Sequence, residues 1–210
     1  MIDRLQSLRL IPVVALQSAE DAAPLADALC AGGLPCAEIT LRTDAALDAI
    51  RALAGRDDFL LGAGTIHSAE QAAVAVEAGA RFVVTPGFNP RTVKWCQENE
   101  VPVFPGIATP TDLELALEHD LEIVKFFPAE TLGGVPTLKA FSGPYGDVQF
   151  IPTGGINAGN LADYLALPSV LACGGSWMVK AGDWEETRRL TTEALKIIGE
   201  LKFWRHSCSR

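Results

Sequence analysis

Short apolar runs alternate along this chain with stretches in which apolar residues recur every three to four positions. The runs fall at residues 10–15, 36–40, 59–64, 82–85, 103–106, 122–127, 148–153 and 170–174, and most end in Gly, Pro or Thr. Their length and lack of helical period predict eight buried strands. Between them the pattern predicts helices. Ala22, Leu25, Ala26 and Leu29 form one stripe, opened by Ser18 with Asp21 as a capping box and stopped by Gly32-Gly33. Ser68 with Gln71 repeats the box ahead of Ala72, Ala75 and Val76. Asn89-Pro90 and Thr109-Pro110 each set a cap residue before a proline at the first helical position. Asn157 is expected to open a helix through Leu161, Tyr164 and Leu165, and the acidic segment 183–186 opens the last one. Residues 203–210, FWRHSCSR, are expected to be an irregular tail.

Strands alternating with helices imply parallel βαβ units. Eight units averaging about 26 residues each fit a small (β/α)8 TIM barrel, near the lower size limit. A doubly wound open sheet is the structural rival. No linker or composition break divides the 210 residues, so a single α/β domain is expected.

Composition narrows the function. Hydrophobic residues make up 49% of the chain, a globular share. The formal net charge of −9 argues against a nucleic-acid surface, although a few local donors can still receive an anion. No apolar run approaches a membrane span, and no secretory leader is evident in the opening residues. The five cysteines contain no CxxC pair, and a reduced, cytoplasmic setting is expected. The scattered His67, His119 and His206 have no metal-ligand spacing, so neither metal nor cofactor is expected. A GxGxxG turn, a Walker loop and a GxSxG elbow are all absent.

In a barrel, chemistry gathers at the C-terminal strand ends. Lys125 sits among apolar neighbours in Ile123-Val124-Lys125-Phe126-Phe127 and shares a face with Ile123 and Phe127. Removal from water disfavours an ammonium, and the neutral amine is the nucleophile that a carbonyl substrate requires. The competing reading is a lysine that snorkels to the surface. Glu38, Thr40 and Arg42 share parity on the second strand. Glu38 is a candidate acid/base and Arg42 a candidate carboxylate clamp, against the alternative of an internal Glu38–Arg42 ion pair. The seventh and eighth strands end in Thr153-Gly154-Gly155 and Gly174-Gly175-Ser176, where barrel phosphate sites recur. Gly62-Ala63-Gly64-Thr65 and Thr85-Pro86-Gly87 fit either a site or tight turns, and Thr65 offers a hydroxyl to a carboxylate.

Taken together, Glu38-Ile-Thr-Leu-Arg42-Thr43, Gly62-Ala-Gly-Thr65, Thr85-Pro-Gly87, Lys125-Phe-Phe-Pro-Ala-Glu130, Pro152-Thr-Gly-Gly-Ile156 and Gly174-Gly-Ser-Trp177 closely resemble the 2-keto-3-deoxy-6-phosphogluconate aldolase family, which includes 4-hydroxy-2-oxoglutarate aldolase activity. The likeness runs from about residue 11 to 179. It implies a class I aldolase without cofactor, a small barrel assembled as a homotrimer, acting on a small keto acid. It implies that Lys125 forms the Schiff base and that Glu38 moves protons. Arg42 and Thr65 are implied as the carboxylate site, Pro86 and Phe127 as pocket walls, and Thr153, Gly154, Gly155, Gly175 and Ser176 as the distal hydroxyl and phosphate site. The rival functions are an aldolase for phosphogalactonate, a phosphosugar isomerase or epimerase, and a non-catalytic phosphometabolite-binding barrel. The sequence departs from the family at its ends: the segment before the first strand leaves room only for a reduced helix within residues 1–9, and the tail has no counterpart.

Overall fold

The computed structural model describes residues 1–207, with side chains to Leu201. Nine strand segments occur among the described residues: β1 (Leu10–Val14), β2 (Cys36–Thr40), β3 (Leu60–Gly64), β4 (Val83–Val84), β5 (Val103–Phe104), β6 (Gly106–Ile107), β7 (Ile123–Phe126), β8 (Gln149–Pro152) and β9 (Cys173–Gly175). β5 and β6 are one stave interrupted at Pro105, which has no N–H to give the ladder, although its carbonyl still accepts from Lys125 N at 2.8 Å. Every pairing is parallel. One sheet runs β5-β4-β3-β2-β1-β9 and the other β6-β7-β8. They join at Pro105 and, on the far side, through the bridges Phe150–Val170 and Thr153–Gly174. The result is a closed eight-staved (β/α)8 barrel in a single domain.

The helices are α1 (Ile2–Leu8), α2 (Ala22–Ala31), α3 (Ala46–Leu53), α4 (Ala69–Glu77), α5 (Pro90–Glu98), α6 (Pro110–Glu118), α7 (Gly134–Phe141), α8 (Leu161–Leu165) and α9 (Trp184–Ser207). The period of two divides the strand residues between layers. Ala37, Ile39, Leu61, Ala63 and Val83 pack with Leu25, Leu29, Ile50, Ala72 and Val93 of the surrounding helices. Their alternates Cys36, Leu60, Phe82, Val84 and Phe104 belong to the other apolar cluster. The Phe82 and Phe104 rings lie 5.8 Å apart. Phe82 occupies the space a side chain at Gly62 would fill, 2.1 Å from where its Cβ would stand. Burying one such ring completely contributes roughly 1.5–3 kcal/mol.

Local signals act mostly as expected. Thr109 and Asp112 form a complete capping box on α6. Ser68 accepts from Gln71 N, while the Gln71 side chain reaches His67 N rather than Ser68. Three readings need correction. Ser18 caps a short 3-10 turn, with its Oγ on Glu20 N, and α2 starts only at Ala22. Asn157 does not open α8; its side chain bonds Gly155 O and Gly159 N, and the helix begins four residues later behind Asn160. The segment expected to be irregular from residue 203 is helical through Ser207, because no Gly or Pro after Leu201 breaks α9. Residues 208–210 lie outside the described ones.

Candidate active site

The strand ends open on a cleft of about 230 Å³ walled by Arg42, Phe127 and the loops at residues 153–156 and 174–176. Val13, Val14, Ala15 and Thr40 complete the wall near β1 and β2. A larger hollow of about 460 Å³ lies at the other end of β7 and β8. Its lining carries the carboxylates Glu122 and Asp147 and no cation, which suits an anionic substrate poorly.

Lys125 lies beneath the cleft. The β7 register sets it beside Gly106 and Ile151, and it is 2% exposed, so it does not snorkel. Its Nζ stands 3.7 Å from Glu38 Oε1 and 4.9 Å from the centre of the Phe127 ring. Glu38, 3% exposed, makes its ion pair with Lys125 rather than with Arg42. At 3.7 Å that contact is too long for a hydrogen bond, and Oε1 has no hydrogen-bond partner among the described residues. Burial pushes the Glu38 carboxyl above its usual range, while the charges of Lys125 and Arg42 pull the other way. Gly64 makes this arrangement possible: a Cβ there would lie 1.9 Å from Glu38 Oε1. An amine and a carboxyl held apart in a buried pocket can attack a carbonyl and exchange protons with the adduct.

Arg42 donates through Nε to Thr65 Oγ1 at 3.0 Å, leaving the Thr65 hydroxyl proton free to donate onward. Thr65 holds φ of 58°, unusual for a β-branched residue, and such backbone strain concentrates where surrounding structure fixes a functional geometry. Thr153 is buried with its Oγ1 against the Cβ-less face of Gly174, where a side chain would come within 2.3 Å. Gly154, Gly155, Gly175 and Ser176 all line the cleft. Pro86 does not; it is half-buried at the exit of β4, its carbonyl packed on Gly106. The loop holding it is pinned by Thr85, whose Oγ1 donates to Gly87 O and accepts from Gly106 N.

Several contributors escaped sequence reasoning. Thr40 was placed on the face of Glu38 and Arg42 by parity but given no role; its hydroxyl donates to Val14 O. Val13 and Ala15 carry no chemistry in their letters. Thr85 sat in a noticed motif without a stated role. Among the described residues no His, Cys, Asp and Glu side chains converge as a metal site needs. The four described cysteines are free, and burial pushes Cys36 up to about 12 and Cys96 up to about 11, leaving both inert near neutrality. Among the described residues no helix is long and apolar enough to cross a membrane.

Comparison with known proteins places this geometry. The family model described as KDPG and KHG aldolase matches residues 1–191. The 2-dehydro-3-deoxy-phosphogluconate aldolase of Haemophilus influenzae is 50% identical over 204 residues, spanning 94% of this chain and 96% of its own. The 2-keto-3-deoxy-6-phosphogluconate aldolase of Zymomonas mobilis, solved with 3-phosphoglycerate, superposes with a TM-score of 0.88 at 40% identity, covering 92% of this chain and 94% of its own. The KDPG aldolase of Legionella pneumophila, solved with pyruvate captured as a covalent carbinolamine, has a TM-score of 0.88 at 40% identity, covering 92% of this chain and 97% of its own. With a family match over residues 1–191 and relatives aligned along nine-tenths of its length, this chain belongs to the KDPG and KHG aldolase family.

Proposed function

We propose that this protein is a class I aldolase that cleaves 2-keto-3-deoxy-6-phosphogluconate to pyruvate and glyceraldehyde 3-phosphate, and 4-hydroxy-2-oxoglutarate to pyruvate and glyoxylate. The observation that carries the reading is the buried Lys125–Glu38 pair, 3.7 Å apart beneath a cleft that Arg42 enters. Lys125 Nζ adds to the C2 keto carbon, and the carbinolamine loses water to give an iminium. Removal of the C4 hydroxyl proton releases the aldehyde as the C3–C4 bond breaks. The bonding pair moves into the iminium and leaves pyruvate as its enamine. Protonation at C3 and hydrolysis of the imine then free pyruvate and restore the amine. Glu38 is the proton carrier, acting directly or through one water; burial raises its pKa and so favours the protonated form from which it gives up a proton. Arg42, with Thr65 fixed beside it, receives the substrate carboxylate. Phe127 shapes the pocket, while Pro86, expected as a second wall, stands outside the cleft; Thr153, Gly154, Gly155, Gly175 and Ser176 receive the distal hydroxyl and phosphate. A binding-only barrel has no use for a buried lysine that costs stability to hold, and an isomerase needs no imine.

The test is borohydride trapping with pyruvate, followed by peptide mass mapping. A stable adduct on Lys125, absent from Lys125→Ala together with turnover, is the expected result. A folded wild-type protein that forms no adduct, or a Lys125→Ala variant with unchanged turnover, overturns the reading. We further propose a cytoplasmic homotrimer, as the family likeness implies; sedimentation equilibrium at about three times 22.3 kDa is the expected mass.

A further inference from the structure

We infer that Asn157 and Asn160 are positioning residues: their side-chain amides fix the glycine loop so that two backbone N–H groups face the cleft, and this sets a preference for substrates ending in a phosphate. The inference rests on the aldolase reading above.

The carbonyls at residues 153–155 are each held by a donor. Thr153 O accepts from Ala129 N at 2.8 Å and Gly154 O from Glu130 N at 3.1 Å. Gly155 O accepts from both Asn157 Nδ2 and Asn160 Nδ2, each at 3.1 Å. These peptides are trans, so each N–H points opposite to the carbonyl of the same unit. Turning the Gly154 and Gly155 carbonyls toward Glu130 and the two asparagines therefore turns the Gly155 and Ile156 N–H groups the other way. Both residues line the cleft. Neither N–H donates to any acceptor among the described residues, although Ile156 is only 5% exposed. A buried N–H without a partner is costly, and successive N–H groups of this kind form an anion-binding concavity. Gly154 and Gly155 hold φ of 99° and 82°, which lets the loop take this shape.

The asparagines are fully committed to the task. Asn160 stands at the N-cap of α8 yet makes no side-chain cap bond. Its Oδ1 accepts instead from Asn157 N at 2.8 Å, and Asn157 Oδ1 accepts from Gly159 N at 2.8 Å. On the other flank the Glu130 stem fills the space beside Gly155, and Tyr164 donates its hydroxyl to Glu130 Oε1. Neither asparagine lines the cleft, so both act through the loop.

The test compares steady-state kinetics of wild type, Asn157→Ala, Asn160→Ala and Asn160→Asp on 2-keto-3-deoxy-6-phosphogluconate and on unphosphorylated 4-hydroxy-2-oxoglutarate. Hydrogen bonds to charged groups are among the stronger ones, so misaiming one N–H is expected to raise KM for the phosphorylated substrate about tenfold. Its kcat, both constants for the unphosphorylated substrate, and pyruvate trapping on Lys125 are expected to stay within about twofold. Inhibition by inorganic phosphate should weaken in parallel. Asn160→Asp keeps the acceptor for Asn157 N but faces Gly155 O with an oxygen, so its loss should be at least as large; being isosteric, it also carries the test if the alanine variant fails to fold. Equal changes on both substrates, or none on either, overturn the positioning role. If wild type traps pyruvate on Lys125 but shows no preference for the phosphorylated substrate, the inference fails and the aldolase reading stands. If wild type traps no pyruvate, both fail.

Discussion

At position 64 a single absent methyl group decides where the Glu38 carboxylate can lie. Gly64→Ala would set a carbon 1.9 Å from Oε1 and about 2.5 Å from Cδ and Cγ, so the Glu38 side chain must move from its position beside Lys125. A misplacement near 1 Å at a proton-transferring group can cost about a hundredfold in rate. The expected outcome is a kcat lowered on that order, measured by coupled assay, with the folded circular-dichroism spectrum retained; unchanged kcat would remove Glu38's position from the mechanism. The same residues show what sequence can carry. Lys125 and Glu38 were legible because a charge on the inner face of a buried strand is anomalous and parity says which neighbours share that face. Asn157 and Asn160 were not, because an asparagine before a helix reads as a cap, and only coordinates reveal that both amides turn back to the Gly155 carbonyl.

Secondary elements were legible where two independent signals coincided. β2 was expected at residues 36–40 and spans Cys36–Thr40, since its apolar run ends at a turn. α6 was announced by both its cap and its proline, and the capping box forms in full. Thr109→Ala removes the acceptor for Asp112 N and the hydroxyl partner of the Asp112 carboxylate, with an expected loss of about 1 kcal/mol. Urea unfolding should show a lower midpoint at unchanged slope, and an unshifted midpoint would mean that tertiary packing alone sets that helix start. Single signals misled. Ser18 followed by Asp21 matched the box by spacing, yet the local chain tightens into a 3-10 turn. The break within the fifth stave was foreshadowed by Pro105 but hidden by the apolar residues around it.

The molecule closes on itself at the seam between β8 and β9, where pairing is reduced to two isolated bridges. Beside it, Arg9 ties the start of β1 to α8 and to the chain entering β9. Its Nη1 donates to Val170 O at 2.9 Å and its Nη2 to Leu165 O at 2.8 Å, while its own carbonyl accepts from Cys173 N at 3.0 Å. Arg9→Ala leaves two carbonyls short of a charged donor, and a loss of roughly 2–3 kcal/mol is expected. Hydrogen exchange should quicken at Leu171 and Cys173 ahead of β2 and β3; protection falling evenly around the barrel would contradict a local clasp. Barrel class was readable because strand count and alternation leave few architectures, whereas the clasp depends on contacts some 160 residues apart that no local pattern encodes. The pairing of β1 with β9 also has a consequence for biosynthesis. Translation adds about 5–20 residues each second, so the outer edge of β1 waits on the order of ten to thirty seconds before its partner is made. Throughout that interval the nascent chain presents an unpaired strand, and its fate depends on how well the emerging polypeptide is shielded from its neighbours.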